Sequence, residues 1–247
     1  MTELIGGNLA IVKREERFLA VAALGDKVRW DLYRFVRRQS GPVTREDAAH
    51  ALRISVKLAA FHLDKLVDRG LLRADYEVPD GARRRVGRAP KRYAPSDMEV
   101  TLSLPERHYE FVAEILVDTL AQVDTSEGHT SVVERARGIA WDRGRRLGGD
   151  ANDAGHLGRR GPERTVAAAE DLLDQCGYEP VDDGAGGLLL RNCPFHSLVP
   201  RSPELVCSLN AAFIDGVLRG LGNDTVRADL QPDARVCCVR VRPPRSR

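Results

Sequence analysis

Four cysteines crowd the C-terminal end of the chain: Cys193, Cys207 and the doublet Cys237-Cys238, with Cys176 upstream. Thiols at this density suit a soft metal, a cluster or redox chemistry. A disulfide framework belongs to small secreted chains. Here the stretch from Leu4 to Val12 is broken by Gly6, Gly7 and Asn8, with no cleavage signal after it, so the cytoplasm is the expected compartment. Cys193 opens the run Cys193-Pro194-Phe195-His196. Three thiolates, Cys193, Cys207 and Cys237, are the expected ligands, and His196, Cys176, an acid or solvent supplies the fourth. Successive strand residues point to opposite faces. Cys237 shares a face with Val239 and Val241 and is the expected inward ligand, while Cys238 packs. There is no Cys-x-x-Cys, so neither a zinc ribbon nor a ferredoxin spacing is matched. By spacing alone the same thiols read equally as buried packing residues. An enzyme with Cys193 as nucleophile and His196 as base is disfavoured, because Pro194 stands between them and no orienting acid is evident; no catalytic activity is expected.

A second chemistry lies in the stretch from Gly81 to Arg92. It holds Arg83, Arg84, Arg85, Arg88, Lys91 and Arg92 and no acid, on a chain whose net charge is only +2. Such a local patch suits a polyanion.

The elements that must position these groups can be read from caps and breakers. Phe18 to Arg38 is helical with a break at Gly25-Asp26, and Asp26 caps a stripe of Val28, Leu32, Phe35 and Val36. Thr44 caps a second helix with Asp47 at the capping-box position. Ser55 caps a third, Val56 to Arg69, and Gly70 stops it. A strand from Leu71 to Val78, a turn at Pro79-Asp80-Gly81 and a return strand near Lys91-Arg92-Tyr93 follow. Three helices and a basic hairpin are the order of a winged helix-turn-helix. On the third helix Val56, Ala59, Leu63 and Leu66 anchor one face. Lys57, Leu58, Phe61, His62 and Lys65 are left for DNA. Thr44, Ser55 and Lys57 are placed for phosphates, His62 for base acceptors and Phe61 for a thymine methyl. The competing reading is an ordinary three-helix bundle with a solvated arginine loop.

Ser103-Leu104-Pro105 predicts the start of a helix from Glu106 to Asp124, about 28 Å long. Its stripe of Tyr109, Val112, Leu116, Leu120 and Val123 is the expected dimer surface, or else packs on a helix over Thr130 to Leu147 of the same chain. Gly148 to Gly161 reads as a linker. A helix from Glu163 to Cys176, a hairpin around Asp182-Asp183-Gly184, a helix opened by Ser202-Pro203 and a last hairpin over Pro232-Asp233 complete the chain. The expected class is α+β: a winged helix-turn-helix domain (18–98), a helical dimerisation region (103–147), a linker (148–162) and a C-terminal α+β sensor domain (163–242). No apolar run approaches the ~18 residues of a membrane span.

Ala60-Phe61-His62-Leu63-Asp64-Lys65-Leu66-Val67, the run Gly87 to Ser96, Asn192-Cys193-Pro194-Phe195-His196, Glu204-Leu205-Val206-Cys207 and Cys237-Cys238-Val239 together resemble the ArsR-like regulators that include the Suf-operon repressors. The resemblance covers roughly 18–241. It implies a homodimeric winged-helix repressor binding a double-stranded operator, with its affinity tuned by an iron–sulfur cluster (4Fe–4S or 2Fe–2S). Cys193, Cys207 and one of Cys237-Cys238 fall on that family's cluster cysteines. The alternative is a regulator responding to zinc, thiol oxidation or a small ligand.

Overall fold

The structure, a computed structural model, describes residues 14–76, 90–122, 131–155, 161–231 and 236–244. It divides into two compact units, with the boundary between Leu102 and Ser103.

In the N-terminal unit, α1 (Arg14–Ala23) and α2 (Lys27–Arg37) are separated at Gly25-Asp26 as the cap predicts, the Asp26 carboxylate accepting from the Arg29 amide at 3.0 Å. The first helix takes in Arg14 to Arg17, ahead of the start at Phe18 that the sequence predicts. A two-residue strand β1 (Val43–Thr44) leads into α3 (Arg45–Leu52), where the Thr44 hydroxyl accepts from the Asp47 amide and the Asp47 carboxylate from the Thr44 amide. Ser55 caps α4 (Val56–Asp68) through the Leu58 amide. Strands β2 (Leu72–Asp75) and β3 (Arg92–Pro95) complete an antiparallel sheet of order β1-β3-β2, with Val43 opposite Tyr93 and Leu72 opposite Pro95. Leu32, Val36, Ala48, Leu63, Leu66, Leu71 and Tyr93 form the core.

The buried Tyr93 hydroxyl donates to Asp64 at 2.8 Å, and the Lys91 ammonium reaches the same oxygen at 2.6 Å, tying β3 to α4. Burial pushes the Asp64 carboxyl up, but these two donors together hold it below the ordinary carboxylate range. Asp64→Ala would strand a buried phenol without its acceptor, so it should cost about 2 kcal/mol. Urea denaturation of the full chain measures this, and an unchanged midpoint would mean the tie contributes nothing.

In the C-terminal unit the helices are α5 (Tyr109–Ala121), α6 (Val132–Ala154), α7 (Pro162–Gln175) and α8 (Pro203–Gly220). Strands β4 (Pro180–Asp182), β5 (Leu188–Leu190), β6 (Arg227–Leu230) and β7 (Val239–Arg242) make an antiparallel sheet of order β4-β5-β7-β6. A single 3₁₀ turn lies at His196–Leu198.

Three expectations change here. The helix predicted from Glu106 starts at Tyr109: the Ser103 hydroxyl accepts from the Arg107 amide at 2.7 Å, closing a turn that does not continue. The dimer stripe divides. Val112 is buried with Phe111 and Ile115 in this unit's own core, because those positions face α6 and the ring of Phe213. Tyr109, Leu116 and Leu120 remain exposed, joined by Val117, and Val123 lies outside the described residues. Finally, α6 runs unbroken through Gly148 to Ala154, where composition predicts a linker. Its glycines are contact points: a methyl group built on Gly144 would strike the Phe213 carbonyl, and one on Gly148 the Val217 carbonyl, both on α8.

Candidate functional site

Strand pairing brings the thiols together. The Cys237 amide donates to the Leu190 carbonyl at 2.9 Å, extending the β5–β7 ladder just ahead of β7 and setting Cys237 near Cys193, three residues past β5. Cys207 comes from the first turns of α8, held by the Ser202-Pro203 start. Cys193, Cys237 and Cys238 are buried and Cys207 is half-buried, all with free thiols. They form a chain of neighbours: Cys193 beside Cys237, Cys237 beside Cys238, and Cys238 beside Cys207. The Cys193 thiol is held well above its ordinary range by Cys237 and then by burial. At Cys237 the contact with Cys193 favours the thiolate, but Cys238 and burial prevail and push the thiol up to about 12. Burial raises Cys207 as well. Such thiols are protonated and inert at neutral pH until a cation displaces the protons. Among the described residues no three His, Cys, Asp or Glu side chains converge tightly enough to hold a metal ion.

The alternation expected at Cys237-Cys238 does not hold. Both residues precede β7 rather than lying in it, and both are buried. Two fourth-ligand candidates stand apart. His196 is exposed on the 3₁₀ turn, and Cys176 caps α7, its thiol pushed up to about 12 by burial and by the neighbouring Glu106 carboxylate.

Several residues around the thiols were not singled out by sequence. Asn210, fully buried on α8, donates Nδ2 to Cys237 Sγ at 3.1 Å, and the Tyr178 hydroxyl donates to Asn210 Oδ1 at 2.7 Å. Asn192, next to Cys193, donates to the carbonyls of Glu106 and Gly177 at 3.0 and 2.6 Å and accepts from the Arg107 guanidinium. The His108 amide donates to the Pro194 carbonyl at 3.1 Å. The 106–108 segment is therefore bonded to the chain on both sides of Cys193. His108 sits between the Glu106 and Glu110 carboxylates, at 3.5 and 3.1 Å; burial disfavours its charge, but the two carboxylates outweigh burial and raise its pKa. A polar residue on an otherwise apolar helix stripe, as Asn210 is beside Leu209 and Phe213, was the readable signal.

On the N-terminal unit, Ser55, Lys57, Leu58 and Phe61 line an open face of α4, with Phe61 56% exposed. His62 belongs to the other face and is only 7% exposed. It lies three residues after Ala59 and four before Leu66, on their stripe, with its ring edge-on to Phe61 and Nδ1 4.0 Å from the Asp26 carboxylate. Val56, expected to anchor, is exposed instead. The remaining candidates have partners: Lys65 with Asp68, Lys91 with Asp64, and the Thr44 hydroxyl within its capping box. Arg92 is half-buried in β3. Arg83, Arg84, Arg85 and Arg88 lie outside the described residues.

No protein family, characterised protein or solved structure matches this chain.

Proposed function

We propose that the chain is a DNA-binding transcriptional regulator, a repressor, whose operator affinity is controlled by an iron–sulfur cluster in its C-terminal unit. The observation that carries the reading is the gathering of Cys193, Cys207, Cys237 and Cys238, from three separate stretches, into one buried neighbourhood. The chemistry of the donor set suits such a group: all four are soft sulfurs, and the Asn210 N–H is directed at Cys237 Sγ, as a donor to a ligating sulfur would be. Cys193, Cys207 and one or both of Cys237 and Cys238 would hold it. When bound, a cluster supplies a one-electron redox couple sensitive to oxidants.

The winged-helix reading of the N-terminal unit rests on its element order, helix–helix–strand–helix–helix–strand–strand, and on the β1-β3-β2 sheet. It also rests on the open face of α4, whose N-terminal half carries Ser55, Lys57, Leu58 and Phe61. A homodimer through the exposed Tyr109, Leu116, Val117 and Leu120 would match a two-fold operator. Among the described residues no helix is long and apolar enough to cross a membrane.

Protein purified without oxygen and reconstituted with iron and sulfide should develop broad visible absorption, and Cys193→Ser should lose it. Elemental analysis separates iron from zinc. In a gel-shift titration on operator fragments, Lys57→Ala should weaken binding and reduce the salt slope by about one. A colourless wild-type product would overturn the cluster, and unchanged affinity for Lys57→Ala would overturn the assignment of α4.

A further inference from the structure

Cys237 is singled out among the four thiols by a directed amide. Asn210 is 1% exposed and Tyr178 is equally buried, so neither has water as an alternative partner. The hydroxyl of Tyr178 donates to Asn210 Oδ1, which leaves Nδ2 facing Cys237 Sγ. An amide in this place has two orientations. With Oδ1 toward the sulfur it would suit a protonated thiol, which can donate. With Nδ2 toward the sulfur it donates to it, a contact that a thiol accepts weakly and a thiolate or metal-bound sulfur accepts more strongly. The second arrangement is the one present, with Tyr178 holding it from behind. A buried pair of hydrogen bonds ending on one sulfur is more than packing requires, since Leu at position 210 would fill similar space without needing two partners.

We propose that Asn210, oriented by Tyr178, is a positioning residue that sets the electron density on the Cys237 sulfur and hence the reduction potential of the centre bound there. The inference rests on the cluster reading above. An N–H donated to a ligating sulfur stabilises the more negatively charged, reduced state and raises the potential; removing it lowers the potential.

The test is a redox titration of reconstituted full-length protein, followed by visible absorption. Asn210→Leu should shift the oxidised-to-reduced ratio at fixed potential about tenfold toward oxidised, which is ~59 mV for a one-electron couple. Tyr178→Phe should move it the same way by less, because the amide keeps its hydrogen but loses its fixed orientation. Asn210→Gln, which keeps an amide, should recover part of the shift. Should Asn210→Leu not fold, Tyr178→Phe and Asn210→Gln carry the measurement. Variants that load iron and titrate at the wild-type potential would overturn the tuning role while leaving the cluster in place, as would variants that only load less. A wild-type protein that takes up no iron would overturn the cluster reading and this inference with it.

Discussion

Alanine at Gly144 should cost the C-terminal unit about 3 kcal/mol, roughly 10 °C in its thermal transition. Helices α6 and α8 meet through reciprocal glycines, Gly144-x-x-x-Gly148 on one and Gly216-x-x-x-Gly220 on the other. A methyl on Gly216 would meet the Trp141 carbonyl, and one on Gly220 the Arg145 carbonyl. These are backbone atoms inside helices, so neither side can yield by changing a rotamer, and the helices would have to move apart. Each helical glycine costs about 0.5–1 kcal/mol relative to alanine, a cost offset only if the backbones pack. Gly138 provides the control. It lies on an exposed turn of α6 with nothing within 4 Å of a would-be Cβ. Gly138→Ala should therefore stabilise by about 0.5–1 kcal/mol. Two substitutions of identical chemistry on one helix thus have opposite signs. If both raise the melting temperature, the close crossing is not the packing of this unit.

That crossing also marks where the sequence misleads. Gly148, Gly149, Asp150 and Asn152 are loop-forming residues one at a time, and a linker is the reading they favour in isolation. Their helical role depends on a partner helix with the same four-residue spacing, 72 residues further along the chain, and it becomes visible only when the two glycine pairs are compared. Caps behave differently because they are local. Asp26, Thr44 with Asp47, and Ser55 each bond within three residues, and each starts its helix where the sequence says. Faces lie between these cases. On α4 the stripe of Ala59, Leu63 and Leu66 was legible, but His62 and Val56 exchanged places, since a 3.6-residue period leaves flanking positions to be decided by neighbouring elements. At the thiols the residue types and the expected meeting of Cys193, Cys207 and Cys237 were legible; the Cys237–Leu190 pairing and the start of β7 only at Val239 were not.

Asn192→Leu should destabilise the C-terminal unit by about 3 kcal/mol and release the loop that carries Cys193. The side chain is buried and satisfies three groups at once: the Glu106 carbonyl, the Gly177 carbonyl and the Arg107 guanidinium. Leucine fills the space and leaves all three without that partner. Asn192→Asp would keep an acceptor for Arg107 but lose both donations, and its loss should be intermediate. The node cannot be relieved at Gly177, whose φ of 78° and contact with the Glu106 side chain leave no room for a Cβ. Thermal denaturation reads the stability, and the rate of Cys193 alkylation by iodoacetamide in native buffer reads the loop. Faster alkylation without a lower melting temperature would assign Asn192 to shielding alone, and no change in either would show that the node holds nothing. Under the proposed function the position of this node would give it a regulatory consequence. Its other arm, the His108 amide on the Pro194 carbonyl, brackets Cys193 from the far side. The segment so gripped, 106–108, follows shortly in the chain after Leu102, where the N-terminal unit ends. On that reading, a displacement of Cys193 would be passed to this segment through the Asn192 and Pro194 hydrogen bonds. Under the proposed function, operator affinity should differ between iron-loaded and iron-free wild type, and the two should converge in Asn192→Leu, because the node that couples them is gone. Gel-shift titration of both forms measures this, and a variant that keeps the wild-type difference would place the coupling elsewhere.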